Sequence, residues 1–174
     1  MAGIEERFAA LAHTVSIPHP WRLSDYVERV AAHRGRPITL HPVDAGLLAG
    51  DGCGTGSGLW IARRDADLIV YGADTTQWHA EHIVVHELGH MLLGHGAEPE
   101  PSAPAVPEQT LAAVAELLPS ISLESIAQVL GRTDYGTARE RDAESFADLV
   151  MLRALRPPRR NSLLHKTFFR DGRS

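Results

Sequence analysis

The segment His86-Glu-Leu-Gly-His90 constrains this chain more than any other sequence feature. Five of the ten histidines lie between residues 79 and 95, and this segment has the pattern HExxH. On a helix, His86 and His90 lie one turn apart on the same face, so their imidazoles can converge on a single Zn²⁺ ion. Glu87 projects beside them and can reach a water molecule at the metal. The spacing predicts a helix over residues 76–94 that carries a zinc site.

The spacing of the other histidines does not complete this site. His82 and His90 are too far apart to bind one ion, since eight residues span about 12 Å along a helix. We expect His82 to pack beside the site. Metzincins place a third histidine six residues after the second, but this chain has Gly96 there and His95 one residue earlier. The alternative is that these histidines line a helix face without binding a metal.

A carboxylate on a later helix is the predicted third ligand. Glu140 begins a helical stripe that is otherwise apolar, and a carboxylate in such a place needs a partner. A metal ion at the HExxH motif is one such partner. The alternative is a capping box, because Thr137-Ala-Arg-Glu140 fits the S/T-x-x-E pattern in which Glu140 bonds the Thr137 amide. In that case Glu144 becomes the predicted ligand, with Asp148 behind it.

Length and charge predict one folded domain followed by a basic tail. The chain has 174 residues, enough for one domain with a hydrophobic core. Hydrophobic residues make up 44% and charged residues 22%, which excludes a wholly disordered or collagen-like chain. We expect a domain over residues 1–155 and a tail over 156–174, where six basic residues accompany a single acidic one. The tail has no nucleic-acid-reading motif, so no direct nucleic-acid partner is expected.

The single cysteine and the N-terminal sequence favour a cytoplasmic protein. Cys53 has no partner for an intrachain disulfide, which fits a reducing compartment. Glu5, Glu6 and Arg7 occupy the region where a signal peptide needs a basic start and then an apolar stretch. No apolar run approaches the roughly 18 residues that span a bilayer. We expect neither export nor a membrane partner.

The hydrophobic pattern predicts an α+β fold. Two helices open the chain over residues 4–13 and 24–34, the second with Ser24 as N-cap and Gly35 as its stop. Three short strands follow, and a hairpin joins the last two, so we expect a small, mostly antiparallel three-stranded sheet packed with helices. The predicted strands are 37–43, 59–63 and 68–71. After the HExxH helix we expect a proline-rich loop, two short helices and a long helix, over residues 96–109, 108–118, 122–130 and 137–155.

Two motifs together resemble the ImmA/IrrE family of zinc metallopeptidases. These motifs are HELGH and the later Glu140-Arg-Asp-Ala-Glu-Ser-Phe-Ala, which is similar to the family pattern E-x-E-A-N-x-F-A. The resemblance covers residues 25–155 in layout and implies a zincin-like fold. It implies that His86, His90 and Glu140 hold zinc and that Glu87 is the catalytic base. Glu144 stands where the family usually has Asn or Asp, at a position that orients a zinc-binding histidine.

The resemblance also implies a reaction and a partner. Glu87 would take a proton from water as the peptide carbonyl is attacked and return it to the leaving amine. Of the candidate donors to the oxyanion, which are Tyr135, His95, Arg139 and Arg141, we choose Tyr135. Members of the family cleave helix-turn-helix repressors of the xenobiotic-response-element type. We therefore expect such a repressor as the protein substrate, bound as an extended peptide along an edge of the predicted hairpin.

Two other functions remain open from the sequence. A zincin scaffold can act without turnover, as a regulator or toxin-antitoxin component that binds its partner. Peptide deformylases also carry HExxH, but their third ligand is an upstream cysteine, a position that Cys53 could fill. That family has Asp in place of Gly89 and the sequence Glu-Gly-Cys-Leu-Ser around the cysteine, both absent here.

Overall fold

The α+β prediction is confirmed in the computed structural model, which describes residues 3–48, 58–63, 65–95, 115–116 and 137–156. Its helices are α1 (Ile4–Thr14), α2 (Leu23–Arg34), α3 (Gln77–Leu93) and α4 (Thr137–Ala154). Its strands are β1 (Ile38–Val43), β2 (Gly58–Ala62) and β3 (Asp67–Gly72). The predicted proline-rich loop, most of the two predicted short helices and the tail from residue 157 lie outside the described residues.

The three strands form a mixed sheet in the order β1-β3-β2. β2 and β3 are an antiparallel hairpin, as predicted, and the Arg63 amide donates to the Ala66 carbonyl at 2.9 Å across the turn. β1 pairs with β3 in parallel, with Ile38 opposite Asp67. The prediction of a mostly antiparallel sheet was therefore wrong for β1.

Strand order explains the parallel pair. β2 forms the edge opposite β1, and β3 lies between them, antiparallel to β2 and parallel to β1. Leu68, Ile69 and Val70 are at most 4% exposed, which suits a central strand, whereas β1 is partly exposed along most of its length.

The two ends of α2 are formed differently. Arg22 occupies the N-cap position without a side-chain hydrogen bond, and the Ser24 hydroxyl donates to Asp25 instead, so the predicted Ser24 cap was wrong. Gly35 ends the helix, as predicted, in the left-handed conformation with φ 68°. A side chain there would be strained, which is why glycine is typical of this position.

α3 lies between the sheet and α4. Val84 and Leu88 of α3 are fully buried and belong to a core to which all four helices and the sheet contribute. α4 packs against α3 through small residues, since Ala143 and Ala147 are also fully buried. The HExxH motif therefore lies on a helix that is enclosed on two sides. None of the described helices has the length and apolarity needed to cross a membrane.

A buried carboxylate joins α2 to the sheet. Asp67, the first residue of β3, is fully buried and pairs with Arg34 at 2.9 Å and with Arg36 at 3.4 Å. Its other oxygen accepts a hydrogen bond of 3.0 Å from the Trp60 indole. The Arg34 guanidinium also lies over the Trp60 ring, 5.2 Å from its centroid. Because a buried charge is costly without partners, this cluster ties the C-terminal end of α2 to β2 and β3.

Candidate metal centre

The two ends of α3 are defined by local hydrogen bonds. At the N-terminus, the Thr76 hydroxyl accepts from the His79 amide at 3.2 Å. At the C-terminus, Gly94 is left-handed with φ 75°, and the Gly94 and His95 amides donate back to the Met91 and His90 carbonyls. This is a Schellman motif, which folds His95 back toward the last turn of the helix. The helix therefore begins and ends where it presents the whole HExxH motif.

The motif histidines converge as their spacing predicts. His86 is 3% exposed and His90 is fully buried. Their Nε2 atoms are 3.0 Å apart, and the rings meet edge to face. Both rings lie on the face of α3 that α4 covers.

Glu140, in the first turn of α4, completes a group of three. Its carboxylate oxygens lie 3.4 Å from Nε2 of His86 and 3.5 Å from Nε2 of His90. Ligand atoms of the three residues all lie within 4.8 Å of one another, so the group could hold a metal ion. The Thr137 side chain lies outside the described residues, so the capping box stays an untested alternative.

The three separations fit a small tetrahedral ion. Zn–N distances of about 2.0–2.1 Å and Zn–O distances of about 2.0–2.2 Å place neighbouring tetrahedral ligands roughly 3.3–3.5 Å apart. The observed separations of 3.0, 3.4 and 3.5 Å lie close to this range. Two imidazoles and one carboxylate are also a donor set that zinc accepts. The residues present therefore fit zinc, although other divalent ions accept the same donors.

Glu144 contacts the outer nitrogen of His86. Its Oε2 atom lies 3.1 Å from Nδ1 of His86, one helical turn beyond Glu140. A carboxylate at this nitrogen favours a proton on Nδ1 and leaves the lone pair of Nε2 directed at the site. This is the orienting position that the family resemblance implies for residue 144.

Glu87 is buried against the edge of the sheet. Its side chain is 2% exposed and accepts a hydrogen bond from the Trp60 backbone amide. Burial, the largest cause, and the nearby Glu140 raise its pKa to about 7, against the opposing effects of His86 and of the Trp60 amide. A carboxyl group with a pKa near neutrality can both accept and return a proton.

Burial and neighbouring charges shift the pKa values of the two motif histidines in opposite directions. Burial, followed by the charges of His86 and His95, lowers the pKa of His90 to about 2. For His86, burial alone would lower the pKa. A hydrogen bond to Glu140 and the charges of Glu87, Glu140 and Glu144 outweigh burial, and the net effect raises the pKa of His86. His90 is therefore neutral, which is the form that binds a metal.

A second group of possible ligands lies on the outer side of the same helix pair. His82 Nε2 is 3.2 Å from Asp148 Oδ1 and 3.9 Å from Glu144 Oε1, and these three residues could also hold a metal ion. The expectation that His82 packs beside the main site agrees with this placement. Asp148, considered as a substitute ligand of the main site, faces His82 instead.

Some predicted residues cannot be placed, and some contacts were not predicted. Tyr135 and Cys53 lie outside the described residues, so the chosen oxyanion donor and the deformylase alternative stay untested.

The contact between Glu87 and Trp60 depends on β2 packing across α3, and no local pattern indicates it. His95 was considered as a donor to the oxyanion and not as a neighbour of His90. The available signal was Gly94, since glycine commonly marks a helix end.

Comparisons with protein-family models, with curated proteins and with solved structures give no match for this chain. A functional assignment therefore depends on the site geometry and on the two sequence motifs.

Proposed function

We propose that this chain is a zinc-dependent endopeptidase of the ImmA/IrrE type, with a zincin-like fold. The observation that carries the proposal is the group formed by His86, His90 and Glu140, whose facing nitrogen and oxygen atoms lie 3.0–3.5 Å apart. Glu87 follows the first histidine on the same helix, which is the position of the general base in the HExxH pattern. His86, His90 and Glu140 are the proposed zinc ligands.

Zinc bound to these residues would supply a Lewis acid for the scissile carbonyl and for the attacking water. Glu87 accepts the proton of that water at a carboxylate oxygen and then gives it to the leaving amine nitrogen. The Trp60 amide holds the carboxylate in place during the transfer.

The edge strand supports a peptide substrate. Within the described residues, β2 is the outer strand next to β3, and the Glu87 carboxylate lies against it. A Cβ atom built on Gly58 would lie only 2.7 Å from Oε1 of Glu87. An extended peptide that pairs with β2 would therefore run past the proposed base.

The proposed substrate is a helix-turn-helix repressor of the xenobiotic-response-element type, as the family resemblance implies. Glu140 occupies the third position of the ligand group, and this favours the peptidase over a deformylase, which would need Cys53 there. A regulator that binds its repressor without cleaving it is the remaining alternative, and the experiment below separates the two.

A comparison of repressor cleavage by the wild type and by Glu87→Gln tests this function. The zinc-loaded full chain is incubated with a purified repressor of this type, and products are identified by mass spectrometry. We expect cleavage by the wild type and a rate lower by about 100-fold or more in Glu87→Gln, since a general base contributes this much. Glu28→Gln, an exposed glutamate of α2, is the matched control and should cleave normally. Cleavage by Glu87→Gln at the wild-type rate, or binding of the repressor by the wild type without cleavage, would contradict the proposal.

A further inference from the structure

His95 makes two contacts with His90 that the ligand group does not explain. The turn at Gly94 brings the His95 amide to the His90 carbonyl at 3.0 Å. The two rings then meet edge to face, with their Nδ1 atoms 3.0 Å apart. His95 is 6% exposed although it lies just beyond the end of the helix.

The direction of this ring contact follows from the role of His90. One of the two Nδ1 atoms must carry a hydrogen and the other must accept it, because two lone pairs or two N–H groups cannot form a hydrogen bond. If His95 donated, neutral His90 would carry its proton on Nε2, which points at His86 and Glu140 and could then bind no metal. If His90 donates, its Nε2 lone pair is available to the site.

We propose that His95 is a positioning residue of the metal centre, which accepts the Nδ1 hydrogen of His90 and so holds the His90 ring with Nε2 directed into the site. The proposal rests on the proposed function in so far as His90 is a metal ligand. The two ligand histidines are then held differently. A half-exposed carboxylate, Glu144, supports His86, whereas a buried neutral ring supports His90. The Schellman turn supplies this second support from the end of the same helix.

Two variants of similar size distinguish loss of the hydrogen-bond acceptor of His95 from loss of its ring. In His95→Asn, the amide oxygen can occupy the place of Nδ1 and accept the same hydrogen, whereas His95→Leu has nearly the same shape and no acceptor. Zinc affinity of each full chain is measured by competition with a chelator. We expect His95→Leu to bind zinc about 10- to 100-fold more weakly than wild type, which is typical for loss of a group that orients a ligand. The zinc affinity of His95→Asn should fall by no more than about 3-fold, because the acceptor is kept.

A second measurement requires no variant. Long-range proton–nitrogen correlation spectra of the zinc-loaded wild-type chain identify which nitrogen of each histidine carries hydrogen. We expect His90 to carry it on Nδ1 and His95 to carry its own on Nε2. A hydrogen on Nδ1 of His95, or equal loss of zinc affinity in His95→Asn and His95→Leu, would overturn the proposal.

These readouts differ from the test of peptidase activity. If the wild type binds zinc with the expected ring hydrogens but cleaves no repressor, the proposed function fails and the role of His95 stands. If the wild type cleaves its repressor and His95→Leu binds zinc as tightly as wild type, the role of His95 fails and the proposed function stands.

Discussion

The stability of the metal-free fold at acid pH is expected to depend on the buried ring of His95. Burial, the largest cause, and the charge of Arg7 lower the pKa of His95 to about 4. In the unfolded chain this pKa is about 6.5, so the unfolded state binds more protons between the two values. The stability that a neutral His95 contributes is therefore fully present above about pH 6.5 and is lost as the pH falls toward 4.

We expect His95→Asn to reduce this loss. Between pH 7 and pH 5, the wild type should lose up to about 2 kcal/mol more of its free energy of unfolding than the variant does. Urea unfolding of both metal-free chains at the two pH values measures this difference. His13→Asn, an exposed histidine of α1, is the control and should follow the wild type. An equal loss in His95→Asn and wild type would show that His95 titrates normally in the fold.

At the residue scale, the sequence predicts the ligand group better than it predicts the support for that group. The four-residue spacing of His86 and His90 implies a shared face as soon as the segment is helical. Glu140 could be proposed because an isolated carboxylate in an apolar stripe needs a partner, although a cap would satisfy it equally well. The contacts of His95 depend on the left-handed backbone of Gly94, which a residue pattern indicates only as a helix end.

The close approach of α3 and α4 depends on Gly89, the fourth residue of the HExxH motif. A Cβ atom built there would lie 3.1 Å from a ring carbon of Phe146 and 3.4 Å from the Ala143 carbonyl oxygen. A larger side chain must push α4 away, and α4 carries Glu140. The glycine therefore determines the distance between the two histidines and the third proposed ligand.

We expect Gly89→Leu to weaken zinc binding more than Gly89→Ala does. Overpacking of this contact should also lower the free energy of unfolding by about 1–3 kcal/mol for the larger residue. Chelator competition and urea unfolding measure the two effects. Zinc affinity that is unchanged in Gly89→Leu, while the chain remains folded, would contradict a third ligand on α4.

β2 contacts the proposed base through Gly58. A Cβ atom there would lie 2.7 Å from both Oε1 of Glu87 and Cγ2 of Ile83, so one of them must move. We expect Gly58→Ala to lower the rate of repressor cleavage by about 10-fold or more while zinc affinity changes little, since Glu87 is not in the ligand group. Gly3→Ala, with nothing within 4 Å of the added Cβ, is the control. Parallel losses of zinc affinity and rate would contradict separate positions for base and ligands.

At the element scale, the helices, the strands and the β2–β3 hairpin were predictable, but the pairing of β1 was not. Periodicity and stop signals such as Gly35 place the described helices and strands within one or two residues of the prediction. Whether β1 pairs with β2 or with β3 depends on the path of the chain between β1 and β2, which local patterns do not determine. β1 pairs in parallel with β3, the buried central strand.

The buried carboxylate of Asp67 is expected to matter for the stability of the whole molecule. Asp67→Asn keeps an amide oxygen but removes the negative charge that Arg34 and Arg36 share. We expect Asp67→Asn to lower the free energy of unfolding by about 3 kcal/mol, the lower end for a broken buried pair, because both arginines reach solvent. Urea unfolding measures it, with the exposed Asp65→Asn as control. A loss below about 1 kcal/mol would show that the cluster is not a determinant of stability.

For the molecule as a whole, the sequence predicts an α+β fold that includes the HExxH helix, and the described residues confirm the α+β class. α3 lies between the sheet and α4. The edge strand β2 lies against Glu87, and the first turn of α4 brings Glu140 to the two motif histidines. The Asp67 cluster could not be predicted, because its contacts depend on how the end of α2 packs against the β2–β3 hairpin. Hydrophobic periodicity locates a core but carries no signal for a polar group buried inside it.

The zinc content of four proteins tests the central claim most directly. Wild type, Glu87→Gln, Glu140→Ala and Glu144→Ala are equilibrated at one low, buffered free zinc concentration, and bound zinc per chain is measured by elemental analysis. We predict one zinc per chain in the wild type and in Glu87→Gln, none in Glu140→Ala and a reduced amount in Glu144→Ala. A wild type without zinc, or Glu140→Ala that retains it while Glu144→Ala does not, would contradict the proposed ligand set.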